Sequence, residues 1–210
     1  MIGKLLGALF CAGALSVTAA SAATPAATYA ATLQPMNTNV TGTKATGVAH
    51  FTVSGDTLII DITMQGVSPG MVHWQHFHGF TDNREATCPT AAADTNHDGI
   101  IDLIETGTTA GTTMVPFDAD PAGMDIAHGK YPEASADGTY HYHATVSLEA
   151  LDAAFAKAFH DQHLDLDRRV VFVHGVPADT KLPATVKSLG PIPAQVTLPI
   201  ACGKIERVSQ

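Results

Sequence analysis

Residues 70–83, Gly-Met-Val-His-Trp-Gln-His-Phe-His-Gly-Phe-Thr-Asp-Asn, carry three histidines in close succession: His73, His76 and His78. His76 and His78 are two positions apart. In an extended strand such residues share a face, so both imidazoles reach one ion while Phe77 points the other way into a core. A helix would set them about 200° apart and separate them. Clustered imidazoles suit copper and zinc. The alternative is a polar strand face whose histidines hold nothing.

A second stretch has the chemistry of a hard-cation loop. Asp94-Thr-Asn96-His-Asp98-Gly99-Ile100-Ile101-Asp102-Leu-Ile-Glu105 matches the twelve-residue EF-hand pattern. Oxygens would come from Asp94, Asn96, Asp98, Asp102 and Glu105 and from the carbonyl of Ile100, with Gly99 making the sharp turn. No flanking helix pair is evident, which points to a structural calcium loop and not a sensor. The alternative is an acidic, solvated turn. His97 is expected to face solvent.

Both stretches need elements to hold them. Short β-type runs fall at 29–33 (an edge strand), 45–53, 57–65, the histidine strand after Ser68-Pro69-Gly70, 139–147, 169–174, 195–200 and 203–208. In 57–65, Leu58, Ile60, Ile62 and Met64 alternate with Ile59, Asp61 and Thr63, the pattern of a half-buried strand. In 139–147, Tyr140, Tyr142, Ala144 and Val146 face inward, with His141, His143 and Thr145 outward. Ser147 then caps a helix over 148–160, whose apolar stripe is Leu148, Leu151, Phe155, Ala158 and Phe159. Residues 81–138 show almost no period, and long irregular segments inside a domain are usually functional. About eight short strands and one helix imply an all-β sandwich or Greek-key barrel.

Residues 1–22 read as a secretory signal: Lys4, an apolar run over 5–17, and Ala20-Ser21-Ala22 as a small-x-small cleavage site. The run is too short and too rich in Ala and Gly for a membrane span. The expected location is therefore periplasmic or secreted. Cleavage leaves 188 of the 210 residues, one domain over 23–210. It also removes Cys11, leaving Cys88 and Cys202. In an exported chain that pair favours one disulfide over two buried thiols. With Lys4 gone, 10 Lys and Arg oppose 20 Asp and Glu, a formal charge of −10. Such a balance disfavours nucleic acid and anionic membranes and favours cation binding.

His76, His78, Cys88, His174 and Cys202 stand in the order and near the spacing of the copper/zinc superoxide dismutases, and the chain resembles that family over nearly all of 23–210. The motifs that carry the resemblance are Gly47-Val-Ala-His-Phe, Met64-Gln-Gly-Val-Ser-Pro-Gly-Met-Val-His73, and His73-x-x-His76-x-His78-x-Phe80-x-Asp82-Asn83 followed by Cys88. They continue with Ala136-Asp137-Gly138, Arg169-Val-Val-Phe-Val-His174 and Ala201-Cys202-Gly203-Lys-Ile205. The resemblance implies an eight-stranded Greek-key barrel. It also implies copper on His76, His78 and His174, a structural His73 beside the site, a Cys88–Cys202 disulfide, and dismutation of superoxide.

Three departures stand out. The family's bridging histidine should follow Cys88 in a Gly-Pro-His-Phe-Asn-Pro-like context. Here the counterpart is Thr113-Met114-Val115-Pro116-Phe117-Asp118, with Met114 as the only soft donor. For zinc, only Asp125 and His128 lie near the right place. The active-site arginine, three residues before the last cysteine, is Pro199, which leaves Lys181 and Lys187 to guide an anion. His141 and His143 are expected at the surface, and His160 and His163, near the helix end, in solvent or interacting with the helix C-terminus. The competing function is a non-enzymatic copper-binding or calcium-stabilised structural protein on the same fold.

Overall fold

A computed structural model describes residues 26–42 and 44–209; the expected signal segment, 1–22, lies outside the described residues. Nine strands follow in order: β1 (Ala27–Pro35), β2 (Thr46–Ser54), β3 (Thr57–Gln65), β4 (Trp74–Gly79), β5 (Thr112–Pro116), β6 (Thr139–Ser147), β7 (Val170–His174), β8 (Pro199–Lys204) and β9 (Glu206–Ser209). Four short helices join them: α1 (Thr38–Thr41), α2 (Leu103–Ala110), α3 (Leu148–Ala158) and α4 (Ala194–Thr197). The strands form one antiparallel sheet in the order β5-β4-β7-β8-β1-β2-β3-β6, with β9 also on β1, curled into a half-barrel.

Alternation makes the wall. Leu58, Ile60, Ile62 and Met64 of β3 are all buried, as are Tyr140, Tyr142 and Val146 of β6. These pack with Phe51, Phe77, Phe117, Val171 and Val173 in the main core. The β2–β3 hairpin turns on Gly55, whose φ of 56° is in the left-handed region. The Ser147 hydroxyl caps α3 by accepting the Ala150 amide, and α3 buries Leu151 and Phe155 against the core. A second, smaller cluster of Phe80, Ala86, Ala110, Val170, Phe172 and Cys202 lies between the outer face of the β4-β7-β8 wall and the loops that cover it.

Several expectations are corrected. Residues 29–33 belong to β1, which is interior and not an edge: it pairs with β2 on one side and with β8 and β9 on the other. Its Thr- and Ala-rich composition hid this, because Ala31 and Leu33 bury with little apolar bulk. The segment 81–138 contains α2 and β5. The helix begins inside the cation pattern, over its last three residues, because Asp102 and Glu105 form a capping box across its first turn. Residues 195–200 divide between α4 and β8, and the chain closes with β9 as a ninth strand.

Candidate metal centre

Strands β4 and β7 are antiparallel neighbours with Trp74 opposite His174, His76 opposite Phe172, and His78 opposite Val170. Paired residues share a face. Trp74, His76, His78 and His174 therefore lie together under the covering loops, and Phe77 enters the main core as its position between them requires. Ring centroids are 4.8 Å apart for His76–His174, 5.5 Å for His76–His78 and 5.7 Å for His78–His174. One ligand atom from each histidine lies within 4.8 Å of the other two. A tetrahedral ion with bonds of about 2 Å holds its nitrogens roughly 3.3 Å apart, so ring rotations of small amplitude complete the set.

Two irregularities aim the rings. The β4–β5 register slips between Phe77 and His78, and the β7–β8 register slips between Val173 and His174. Bulges bend a strand locally and are common beside sites for this reason. The first makes Met114 the extra residue of β5 and brings the Thr113 hydroxyl to 3.1 Å from Nε2 of His78. The second sets Pro199 opposite His174. At Gly111, φ is 74° and a Cβ would stand 2.1 Å from the carbonyl oxygen of Gly79. Only glycine lets the end of α2 pass this close to the histidine strand.

The electrostatics favour a ligand set. All three histidines are buried. Both nitrogens of His76, Nδ1 of His78 and Nε2 of His174 have no hydrogen-bond partner. A buried polar atom left unpaired costs about 1–3 kcal/mol, and an ion taking one lone pair from each ring would relieve three of the four; the second His76 nitrogen carries the ring proton and stays unpartnered. His174 Nδ1 donates to the carbonyl of Thr197 at 2.8 Å, which leaves Nε2 as the lone-pair nitrogen. Burial holds His76 well below the usual imidazole range, with repulsion from His174 and His78 adding to it. Burial, then His174, does the same for His78. His174 is lowered to about 4 by burial, against the Thr197 hydrogen bond. All three are neutral at pH 7, the form that binds metal.

His73 is fully buried, with Nδ1 3.1 Å from the His174 carbonyl oxygen and Nε2 3.0 Å from that of Ser68. It ties the entry of β4 to the end of β7. Trp74 stacks on Tyr131 at 5.2 Å, and Tyr131 meets His76 edge-on at 5.9 Å. A cavity of about 280 Å³ opens onto His76 and His174, walled mainly by Trp74, Leu103, Ile126, Leu189 and Ile192. No Lys, Arg, Asp or Glu lines it.

Other expected site residues lie elsewhere. Lys181 and Lys187 do not line the cavity, and Lys187 instead gives its backbone amide to Asp102 and its Nζ to the carbonyl of Ala184. Met114 packs in the main core, away from the histidine face. Asp125 and His128 pair only with each other, at 3.0 Å, with the His128 side chain 84% exposed. Among the described residues the histidine trio is the only set of three or more His, Cys, Asp and Glu whose ligand atoms all lie within 4.8 Å of one another, so the zinc expectation at Asp125 and His128 has no third ligand. Cys88 and Cys202 form the disulfide, joining residues 114 apart with Cα atoms 5.9 Å from each other. His141 and His143 are exposed, and His163 pairs with Asp152 at 3.1 Å.

In the acidic loop the carboxylates are occupied by protein donors. Asp94 accepts the amides of Asp98 and Gly99. Asp98 accepts the Ile100 amide and the Thr185 hydroxyl. Asp102 takes the Ile104 and Glu105 amides on one oxygen and the Lys187 amide on the other. Glu105 takes the Thr95 and Asn96 amides on one and the Asp102 amide on the other.

No family model matches the chain, and no curated protein matches it.

Proposed function

We propose that the chain is an exported copper protein of the copper/zinc superoxide dismutase type, held in the periplasm or secreted, in which His76, His78 and His174 bind copper. The observation that carries this reading is the buried trio of imidazoles, each offering one ligand atom within 4.8 Å of the others and each carrying a nitrogen without a hydrogen-bond partner. A nitrogen-only set disfavours calcium and magnesium, which take oxygen, and favours copper or zinc. The sheet order, with β4 beside β7 and β7 beside β8, agrees with a Greek-key barrel of that type.

Bound copper would supply one-electron chemistry, so that two superoxide ions and two protons become oxygen and hydrogen peroxide. The chain's own residues do the rest. Thr197 fixes the tautomer of His174, Thr113 orients His78, and the apolar wall admits only small molecules. Apart from the histidines no titratable side chain lines the cavity, so the protons come from solvent. One observation favours a second reading, a copper-holding protein without dismutase activity: no cation stands at the cavity to draw in an anion. Superoxide decay with copper-loaded protein separates the two. Dismutation faster than an equal concentration of free copper, and lost in His76→Ala, supports the enzyme. A rate no better than free copper leaves the binding protein.

Calcium at 94–105 is part of the same proposal. Gly99 has φ of 82° at the turn, and α2 leaves directly from Asp102. Chelation that leaves the melting temperature unchanged rejects it.

A further inference from the structure

The outer face of the β2-β3-β6 half carries a group of side chains that the buried centre does not use. Register places His50 of β2 opposite Asp61 of β3, and Asp61 opposite His143 of β6. His141 lies opposite Thr63, one step diagonal to Asp61. Directly opposed residues in an antiparallel sheet share a face with Cβ atoms about 5 Å apart, and diagonal neighbours remain within reach of long side chains. His141 and His143 are themselves an i, i+2 pair on one face of a strand.

Two of the imidazoles already meet the carboxylate, although the donor atoms do not all lie within 4.8 Å of one another. His143 Nδ1 is 2.7 Å from Asp61 Oδ1, and His141 Nε2 is 3.4 Å from the same oxygen. A simple surface ion pair needs one imidazole per carboxylate; here two converge on one oxygen, with a third histidine next in the row. All of these groups are solvent-accessible: the Asp61 side chain is 39% exposed and those of His141 and His143 are 59% and 53%. Among the described residues nothing covers these side chains, so an ion can enter without opening the fold.

We infer that His141, His143 and Asp61, with His50 in reserve, form an exterior site for a late first-row divalent ion such as Zn²⁺ or Cu²⁺. Two imidazoles and one carboxylate, with a third imidazole one register step away, are a donor set for borderline-soft ions and a poor one for calcium. The carboxylate between the imidazoles supplies the charge that makes a solvent-facing site bind. Because this site is on the β3-β6 side and the buried trio on β4-β7, the inference stands independently of the proposed copper reading.

The test is native mass spectrometry and calorimetry of the full chain titrated with Zn²⁺, a redox-inert probe, with millimolar calcium present to fill any hard-cation loop. The His141→Ala/His143→Ala variant should bind one Zn²⁺ fewer than the parent. The His76→Ala/His174→Ala variant should retain the exterior ion. Asp61→Asn should weaken the exterior step about tenfold, within the range for loss of a supporting carboxylate. The exterior substitutions touch no core contact, and near-ultraviolet circular dichroism, reporting Trp74, verifies folding. A His141→Ala/His143→Ala protein with unchanged zinc stoichiometry and affinity overturns the inference.

Discussion

The histidine centre and the acidic loop are opposite solutions to placing polar groups in a folded chain. In the loop, all eight carboxylate oxygens of Asp94, Asp98, Asp102 and Glu105 accept a donor from the protein. In the centre, four of the six ring nitrogens have none. The loop is bonded as a structural element without any cation. The centre is incomplete as a structural element and complete only as a set of ligands. Residues that serve the fold and residues that serve a ligand should therefore respond to mutation in opposite directions.

The largest test is the disulfide, which joins the loop's side of the molecule to the wall that carries the centre. Removing it in Cys88→Ala/Cys202→Ala should cost about 4–5 kcal/mol in the chain-entropy treatment of a loop this long. Hydrogen exchange should rise first over residues 81–116, with β4 and β7 the last to open. Uniform loss of protection across both regions would erase the contrast.

Next is His76→Leu. Copper affinity should fall at least about 100-fold, since one of three ligands is gone. The metal-free protein should nevertheless gain about 1–2 kcal/mol in a urea melt, because two unpaired buried nitrogens are removed. A metal-free His76→Leu protein that is less stable than the parent would show that the ring is structural after all.

Acid supplies a third test. His174 is near 4 in the fold against an ordinary 6.5. Below 6.5 the unfolded chain takes up a proton that the folded chain refuses. Stability is therefore full above pH 6.5 and declines as pH falls towards 4, by about 3 kcal/mol for this residue at 1.36 kcal/mol per unit. Metal should be released over the same window, since protons and metal compete for Nε2. A flat stability profile for the metal-free protein between pH 7 and 4 would contradict the burial argument.

The smallest effect is expected for Glu105→Gln. It weakens the capping box on α2 and should cost about 1 kcal/mol even with calcium chelated. If the cost appears only with calcium present, the glutamate serves the ion and not the helix.

Much of this was legible because it depended on period. The shared face of His76 and His78, the inward turn of Phe77, and the outward turn of His141 and His143 all follow from the two-residue repeat of a strand. What was hidden depended on offsets and coverage. A one-residue bulge at Met114 decides that Thr113, and not the sulfur, meets His78. Spacing cannot reveal a bulge. Thr197, which orients His174, is the last residue of α4, 23 residues away in sequence, and acts through its carbonyl, which every residue type carries. Asp102 and Glu105 were ambiguous because one spacing serves both a cation loop and a capping box. Lys181 and Lys187 had the right charge in the right loop, but only the packing of that loop shows them turned from the cavity.

The interior position of β1 also determines the order in which the protein can assemble. β1 and the β2–β3 hairpin can pair using contacts close in sequence. The other flank of β1 waits for Gln34 to meet Cys202, 168 positions later. Closure that depends on so distant a segment is slow, and until it happens β1 presents an open edge to other chains. The cysteine that completes the crosslink arrives on the same late strand, β8, so oxidation should follow docking on β1. Assembly of the buried histidine trio, whose covering loops hang from that crosslink, would then be among the last events in folding.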